Sequence, residues 1–323
     1  MNGKLVFGQY YNASSWVHRL DPRTKLICLF AMMIGLFVIT NTYALLAALG
    51  LVLVLIISSR IPINKFFQGI KMMAMLLVFT FFFQVVFNRA GNIVASFTFN
   101  MTVLNLGIVI FLLVLFIVMG KFVKKFRIIT FLLFFFIAMY VQYSLDTSRL
   151  LFSYSLDIYD QGMESAFKIL IRIISLISLS SLLTLSTKPS DLNNGLESVA
   201  KPLKYLRVNV SILSMMVSIA LRFIPTLINE ANRILKAQAS RGVDFKEGKV
   251  REKITQIVSL LIPMFVIAYK RAEELANAME ARGYIPGEER SKINELKYKT
   301  SDVLTYITTA VILTLIVVVK IVL

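Results

Sequence analysis

The sequence predicts an all-α membrane protein with about seven transmembrane helices and several long helices on the cytoplasmic side. Of its 323 residues, 57% are hydrophobic, and the mean hydropathy is +0.75. Both values are typical of chains that cross a membrane several times. The net charge is +17, but the basic residues lie mainly beside apolar runs. Because Lys and Arg favour the cytoplasmic side of a membrane, this placement is explained without any nucleic-acid partner.

Seven apolar runs are predicted to be transmembrane helices. With its flanking residues, each run has about the 20 residues that a helix needs to cross a bilayer. They cover residues 26–40, 43–57, 72–87, 103–119, 128–143, 166–187 and 303–319. The first two are joined only by Asn41 and Thr42, which predicts a helical hairpin. Basic segments at 58–71 and 121–127 alternate with less basic ones. This alternation predicts a cytoplasmic amino terminus and a carboxy terminus outside the cell. The basic and aromatic segment before the first run is interpreted as a headgroup anchor.

The long polar region 188–301 is predicted to be a cytoplasmic module. It contains 19 of the 35 Lys and Arg residues, together with 12 acidic residues. Ser190 or Asp191 is expected to cap a short amphipathic helix, and Pro202 is expected to stop or bend it. The apolar side of this helix consists of four residues at helical spacing, Leu192, Leu196, Val199 and Leu203. Such a helix is expected at the membrane surface.

Two long helices are predicted at 208–240 and 253–282, each with an internal proline that is expected to bend it, Pro225 and Pro263. They end alike, in Ala239-Ser240-Arg241-Gly242 and in Ala281-Arg282-Gly283. A glycine after a helix adopts the left-handed conformation that satisfies the last carbonyl groups. The small residues let another surface approach closely, and arginine offers five donors in a rigid fork. One such ending would be an ordinary capped helix, but two favour docking to two similar partners.

Several stretches resemble the transmembrane component of energy-coupling-factor (ECF) transporters, a family that includes cobalt and nickel uptake proteins. They are residues 18–26 (HRLDPRTKL), 186–192 (STKPSDL), 221–225 (LRFIP) and the two Arg-Gly endings. The resemblance covers residues 1–88 and 150–323. It implies that the two long helices are coupling helices, and that their endings engage two ABC-type ATPase subunits. It also implies a separate substrate-binding membrane subunit, the S component, that captures a vitamin or a metal ion.

The residues give no sign of catalysis. No Gly-x-x-x-x-Gly-Lys-Ser/Thr phosphate loop occurs in the sequence, so ATP and magnesium are expected on the partner ATPases. One histidine and one cysteine make a His/Cys metal site a poor interpretation. The chain is therefore expected to be a non-catalytic subunit, without a bound cofactor, in a bacterial or archaeal cell membrane. The alternative is a stand-alone secondary transporter or channel, which would need paired ionisable residues near the middle of the spans.

The predicted organisation has five parts. These are residues 1–88 with three spans, an inserted transmembrane hairpin at 89–149, one span within 150–187, the coupling-helix module at 188–301, and the last span within 302–323. The insertion departs from the family pattern, because it adds about two spans to the five that the resemblance implies.

Arg172 is a candidate contact to the substrate-binding subunit or to a lipid headgroup. It lies in the sixth predicted span, and a cation inside a membrane usually faces protein or water. Lys168, one turn earlier, is interpreted as reaching the outer interface with its long side chain. The apolar side of the amphipathic helix, defined above, is a second candidate for the same kind of contact.

Overall fold

The computed structural model describes residues 10–122, 127–144, 150–242, 250–288 and 296–322. The helices in this part of the chain are α1 (Trp16–Arg19), α2 (Pro22–Val38), α3 (Thr42–Ser58), α4 (Ile63–Phe87), α5 (Val103–Phe122), α6 (Arg127–Ser144), α7 (Asp160–Ser186), α8 (Pro189–Val199), α9 (Val210–Ser240), α10 (Val250–Ala281) and α11 (Thr300–Val322). The strands are β1 (Ile93–Thr102) and β2 (Leu150–Tyr159), and a 3-10 helix covers Lys201–Leu206. Two compact units are present. The first comprises Met1–Ile39, Gly50–Phe67 and Leu176–Leu323, and the second comprises Thr40–Leu49 and Gln68–Ser175.

All seven predicted spans are helical, as α2 to α7 and α11, which confirms the all-α membrane fold. In the described ranges, five helices are long and apolar enough to cross a membrane, namely α4, α7, α9, α10 and α11. The apolar parts of α3, α5 and α6 are shorter. α9 and α10 were interpreted as bent, partly charged helices and not as simple spans. By length and composition alone, they are not distinguished from the spans.

Three local predictions need correction. The third span was predicted to begin at residue 72, after the basic segment 58–71, but α4 already begins at Ile63. Neither Ser190 nor Asp191 caps α8, because Pro189 occupies its first turn and Lys188 precedes it without a side-chain capping bond. Proline suits the first helical position since its φ is already near the helical value. The headgroup-anchor interpretation of the amino-terminal segment is incomplete, since several of its polar side chains are buried.

Of two other local predictions, one is confirmed and one lies partly outside the described residues. α8 stops at Val199 and the chain continues as the 3-10 helix that contains Pro202, so the predicted stop is confirmed. The basic run at 121–127 includes residues 123–126, which lie outside the described residues.

A two-stranded antiparallel sheet was not predicted. β1 pairs with β2 in a register that runs from Ile93 opposite Tyr159 to Thr102 opposite Leu150. Both strands lie between predicted spans, β1 between the third and the fourth and β2 between the fifth and the sixth. The helices between them, α5 and α6, pack against each other. A pairing of strands that are separated by two helices leaves no local signal beyond each strand's own composition.

The sheet, α5 and α6 belong to a single continuous segment, residues 93–159, which we call the hairpin module and which overlaps the insertion predicted at 89–149. Its two ends meet. The Asp160 amide donates a hydrogen bond to the Asn92 carbonyl at 3.0 Å, and the Asn92 amide donates to Asp160 Oδ1 at 2.9 Å. A Cβ atom on Gly162 would lie 2.7 Å from the Asn88 carbonyl oxygen. The chain therefore enters and leaves the module at one tightly packed point.

In the first unit, α2 packs against α8 and α11. Two glycines allow these close contacts. A Cβ atom on Gly35 would lie 2.7 Å from Leu313 of α11, and one on Gly195 would lie 3.0 Å from Pro22 at the start of α2. A larger side chain at Gly195 would press on the backbone of Pro22, whereas one at Gly35 would require the Leu313 side chain to move. α2 thus contacts α8 at its start and α11 near its end.

Candidate docking site at two helix ends

The first Arg-Gly ending closes α9. The helix ends at Ser240, and Arg241 follows as its cap. Gly242 has a φ of +86°, and its amide donates a hydrogen bond to the Ala239 carbonyl at 3.0 Å. Only glycine adopts this left-handed conformation without strain. The glycine therefore ends the helix immediately after the arginine.

The second ending closes α10 in the same way. Gly283 has a φ of +69°, and its amide donates to the Glu280 carbonyl at 2.9 Å. The Tyr284 amide donates to the Met279 carbonyl at 3.0 Å. These two bonds complete a Schellman cap. The repeated sequence thus corresponds to a repeated backbone geometry, with an arginine as the last residue before each left-handed glycine.

Both endings are open to an incoming surface. Every predicted docking residue is exposed, namely Ala239, Ser240, Arg241, Gly242, Ala281, Arg282 and Gly283. A Cβ atom added to Gly242 or Gly283 would meet nothing within 4 Å. Among the described residues, neither arginine of the pair makes a recorded ion pair. The guanidinium groups therefore remain able to bind carboxylate or carbonyl oxygens of another chain.

Ser240 is the position at which the two endings differ. Its hydroxyl donates a hydrogen bond to the Lys236 carbonyl of its own helix at 3.0 Å. That bond uses the hydroxyl proton inside the helix, so the surface that remains is small, as at Ala281. The serine therefore leaves the shape of the docking surface almost unchanged.

A groove of about 640 Å³ lies between α9 and α10. Its lining is mostly apolar, with Phe223 and Leu227 from α9 and Leu275 and Met279 from α10. Arg271 and Glu280 add charges to the lining. A groove of this composition fits an apolar segment of another protein or an acyl chain.

The amphipathic helix α8 contacts α9 through one buried polar residue. Asn193 is buried, and its amide nitrogen donates to the Ser214 carbonyl at 2.8 Å and lies 2.8 Å from the Ser218 hydroxyl. Leu196 and Val199 of α8 are exposed by 46% and 39%, and Leu192 is half-buried. Leu203, which was predicted on the same helix, lies instead in the following 3-10 helix and is exposed by 43%. α8 is thus fixed to α9 by an amide and presents its apolar side outward.

The two cations of the sixth predicted span differ in environment. Lys168 forms an ion pair with Glu164 at 2.9 Å, one turn earlier in α7, and Glu164 also accepts a hydrogen bond from Thr42 at 2.7 Å. Arg172 lies one turn further along α7 and is half-buried. Lys168 is therefore paired within the chain rather than only reaching towards an interface.

The sequence interpretation missed a buried polar cluster at the start of α2. Asp302 is fully buried, and its two carboxylate oxygens accept from the amides of Asp21 at 2.9 Å and Lys299 at 2.7 Å. These amides belong to the residues that precede α2 and α11. One carboxylate thereby stabilises the amino-terminal ends of two helices, where negative charge is favoured. The acidic residue in the first turn of the last span was its only signal in the sequence.

Lys25 provides the opposite charge in the same cluster. Its side chain is buried, and Nζ donates to the Ser186 carbonyl at 3.0 Å and to Thr187 Oγ1 at 3.3 Å. Ser186 is the last residue of α7, so the ammonium group lies at a helix end where a cation is favoured. Residues 18–26 and 186–192, which carry the family resemblance, thus meet in the fold.

His18 secures the segment before α2. Its Nε2 lies 3.0 Å from the Tyr11 carbonyl, which can only accept, so Nε2 carries the proton and Nδ1 accepts from the Ser15 hydroxyl at 2.7 Å. Burial lowers the pKa of His18 below its usual value, although the Tyr11 carbonyl partly opposes this shift. The Tyr11 amide in turn donates to the Leu185 carbonyl at 2.9 Å. A neutral histidine is therefore part of the contact between the amino-terminal segment and the end of α7.

The fold and the paired helix ends define a class, a multi-pass helical membrane protein with two exposed Arg-Gly helix ends. Within the described ranges, no group of three or more His, Cys, Asp or Glu residues could hold a metal ion. The CbiQ family, described as "Cobalt transport protein", matches residues 13–110 and 98–293.

Curated relatives agree with the family match. The chain is 35% identical to the energy-coupling factor transporter transmembrane protein EcfT of Bacillus subtilis, over 98% of this chain and 96% of the relative. It is 34% identical to EcfT of Streptococcus thermophilus over 94% of each chain, and 32% identical to EcfT of Listeria innocua over 97% of each. The chain therefore belongs to the CbiQ/EcfT family of transmembrane components of energy-coupling-factor transporters.

Proposed function

We propose that this chain is the coupling subunit of an ECF importer of the ABC type, linking ATP hydrolysis by two partner ATPases to uptake of a vitamin or a transition-metal ion. The observation that carries the proposal is the pair of equivalent, exposed Arg-Gly caps at the ends of α9 and α10. Two equivalent ends suit two similar partners. ATP and magnesium bind in the ATPases, and this chain contributes no catalytic residue and no cofactor site.

Movement reaches the membrane along the two long helices. α9 and α10 have 31 and 32 residues, which corresponds to about 45–50 Å each. They pack against each other. When the ATPases close and open with nucleotide, the docked ends of α9 and α10 move, and the helices transmit this displacement to the substrate-binding subunit. That subunit then changes its orientation across the membrane and releases its substrate inside.

The substrate-binding subunit binds to apolar surfaces of this chain. The groove between α9 and α10 offers one such surface, and the outward side of α8 with Leu192, Leu196 and Val199 offers a second. Arg172 is a candidate for a contact within the membrane, either with the subunit or with a lipid headgroup. Since the basic segments fall on one side of the predicted spans, we place the amino terminus in the cytoplasm and the carboxy terminus outside.

Mass spectrometry of the native complex, purified in detergent through a tag on this chain, tests the proposal. We expect two ATPase subunits, identical or different, and a small hydrophobic membrane protein in addition to the tagged chain. A stand-alone transporter would instead purify without ATPases and carry substrate into liposomes unaided. Uptake by the purified chain alone would therefore contradict the proposal.

Removal of the hairpin module should leave ATPase binding intact. Because Asn92 and Asp160 are already hydrogen-bonded, residues 93–159 can be replaced by one or two glycines with little displacement of the flanking chain. We expect the shortened protein to insert in the membrane and to copurify with both ATPases in wild-type ratio. A stably inserted variant that loses the ATPases would show that the module belongs to the coupling machinery.

A further inference from the structure

The segment that connects α8 to α9 is both basic and apolar on its exposed surface. We call residues 201–208 the connecting segment. Its exposed apolar side chains are Leu203, Tyr205, Leu206 and Val208, and Tyr205 and Leu206 are exposed by 93% and 72%. Its exposed basic side chains are Lys201, Lys204 and Arg207. No acidic residue occurs in the segment, so its own charges are all positive and lie next to exposed apolar side chains.

Arg207 occupies a position where the chain elsewhere uses glycine. Its φ is +60°, its amide donates to the Lys204 carbonyl at 3.0 Å, and the next amide, of Val208, donates to the Leu203 carbonyl at 3.4 Å. This is the cap seen at Gly283, but with a side chain. Among the described residues other than glycine, only Arg60 and Arg207 have a positive φ. The left-handed conformation costs free energy for any residue that has a Cβ atom. Glycine would avoid this cost at position 207, but the chain has arginine there.

The connecting segment is held beside an apolar helix. The buried Asn193 amide fixes α8 to α9, and α9 begins at Val210, two residues beyond the segment. α9 is long and apolar enough to cross a membrane. The segment therefore lies within one turn of the apolar first part of α9, a surface that suits contact with the membrane interface.

We propose that the connecting segment binds anionic glycerophospholipids at the membrane interface. Leucine and valine side chains enter the boundary of the acyl chains, and tyrosine is enriched at headgroup depth. Lys201 and Arg207 bind lipid phosphates, each contributing about 1 kcal/mol, which corresponds to about a fivefold change in affinity. This surface goes beyond the proposed ATPase docking and does not depend on it.

Lipid titration of the purified chain in neutral detergent tests the proposal, with bound lipid counted by native mass spectrometry. We expect the wild-type chain to retain phosphatidylglycerol in preference to phosphatidylcholine. The combined substitution Lys201→Gln and Arg207→Gly should weaken phosphatidylglycerol binding about 25-fold, at roughly fivefold for each charge. The control carries Lys236→Gln and Lys270→Gln, which remove the same charge from exposed positions of α9 and α10, and should bind as the wild type does.

The single substitution Arg207→Gly separates lipid binding from folding. It removes the strained side chain, so the unfolding temperature without lipid should stay the same or rise, while phosphatidylglycerol binding falls about fivefold. Unchanged binding would overturn the proposal. If soluble glycerol phosphate raised the unfolding temperature as much as phosphatidylglycerol does, the proposal would also be overturned, because the segment would then be a simple anion site. Loss of a copurifying membrane protein without loss of lipid would also overturn it, since the surface would then bind protein.

Discussion

Replacing both Arg241 and Arg282 with alanine should release the partner ATPases or uncouple ATP hydrolysis from uptake. Each arginine is exposed at the end of a long helix and has no recorded ion pair among the described residues. In a complex, the guanidinium would be buried against the partner. Truncating one member of such a charged contact typically costs about 2–5 kcal/mol, which is about 30-fold to several thousand-fold in affinity.

The measurement is copurification of the ATPases, followed by ATP hydrolysis and uptake in proteoliposomes. Each single alanine variant should weaken one of the two contacts, and the double variant should weaken both. Arg→Lys at the same positions should give an intermediate loss, because lysine keeps the charge but not the rigid fork of donors.

The matched control for this experiment is Arg233→Ala combined with Lys270→Ala. Both side chains are exposed on the same two helices, and Arg233 makes only a 3.7 Å pair with Glu230. This control should retain the ATPases. Full assembly and full uptake in the Arg241 and Arg282 double variant would refute the docking assignment.

The substitution Asp302→Ala should destabilise the fold more than any other single change to the polar cluster. It would leave the Asp21 amide without an acceptor in a buried place, and the Lys299 amide without one in a part-buried place. An unsatisfied buried donor costs about 1–3 kcal/mol, so a loss of about 1–3 kcal/mol is expected from the Asp21 amide alone. Loss of the favourable charge at two helix amino termini adds to this effect.

The unfolding midpoint in detergent measures this loss. Asp302→Asn keeps one acceptor oxygen and should fall between the wild type and the alanine variant. Ser301→Ala is the control, since Ser301 is exposed one residue earlier in the same helix and should leave the midpoint unchanged. An Asp302→Ala midpoint equal to that of the wild type would mean that the carboxylate does not hold these helix ends.

The Arg-Gly endings were predicted from the sequence because a helix cap is local. The glycine, the small residues and the arginine lie within one turn of each other, and the backbone bonds that they form are fixed by that spacing. The seven helical spans were predicted for a similar reason, since hydrocarbon requires a long apolar run in each. What the endings bind remains a prediction.

For the amphipathic helix α8, the local pattern predicted only one of its two sides. The spacing of Leu192 and Leu196 predicted the apolar side. The pattern does not show that the opposite side is fixed by Asn193 to Ser214 of another helix. An asparagine in an amphipathic helix is ordinarily a solvated residue, and only its burial against α9 reveals an anchor.

By itself, the sequence determined the spans, the basic segments and the two capped helix ends, because each depends on residues close together in the chain. Only the tertiary structure decided which polar residues are buried together. Asp21 and Asp302 are 281 residues apart, and β1 and β2 pair across two intervening helices. Such contacts depend on how closely helices approach, as at Gly35 against Leu313. That approach is set by the shapes of both partners, which no pattern within either segment contains.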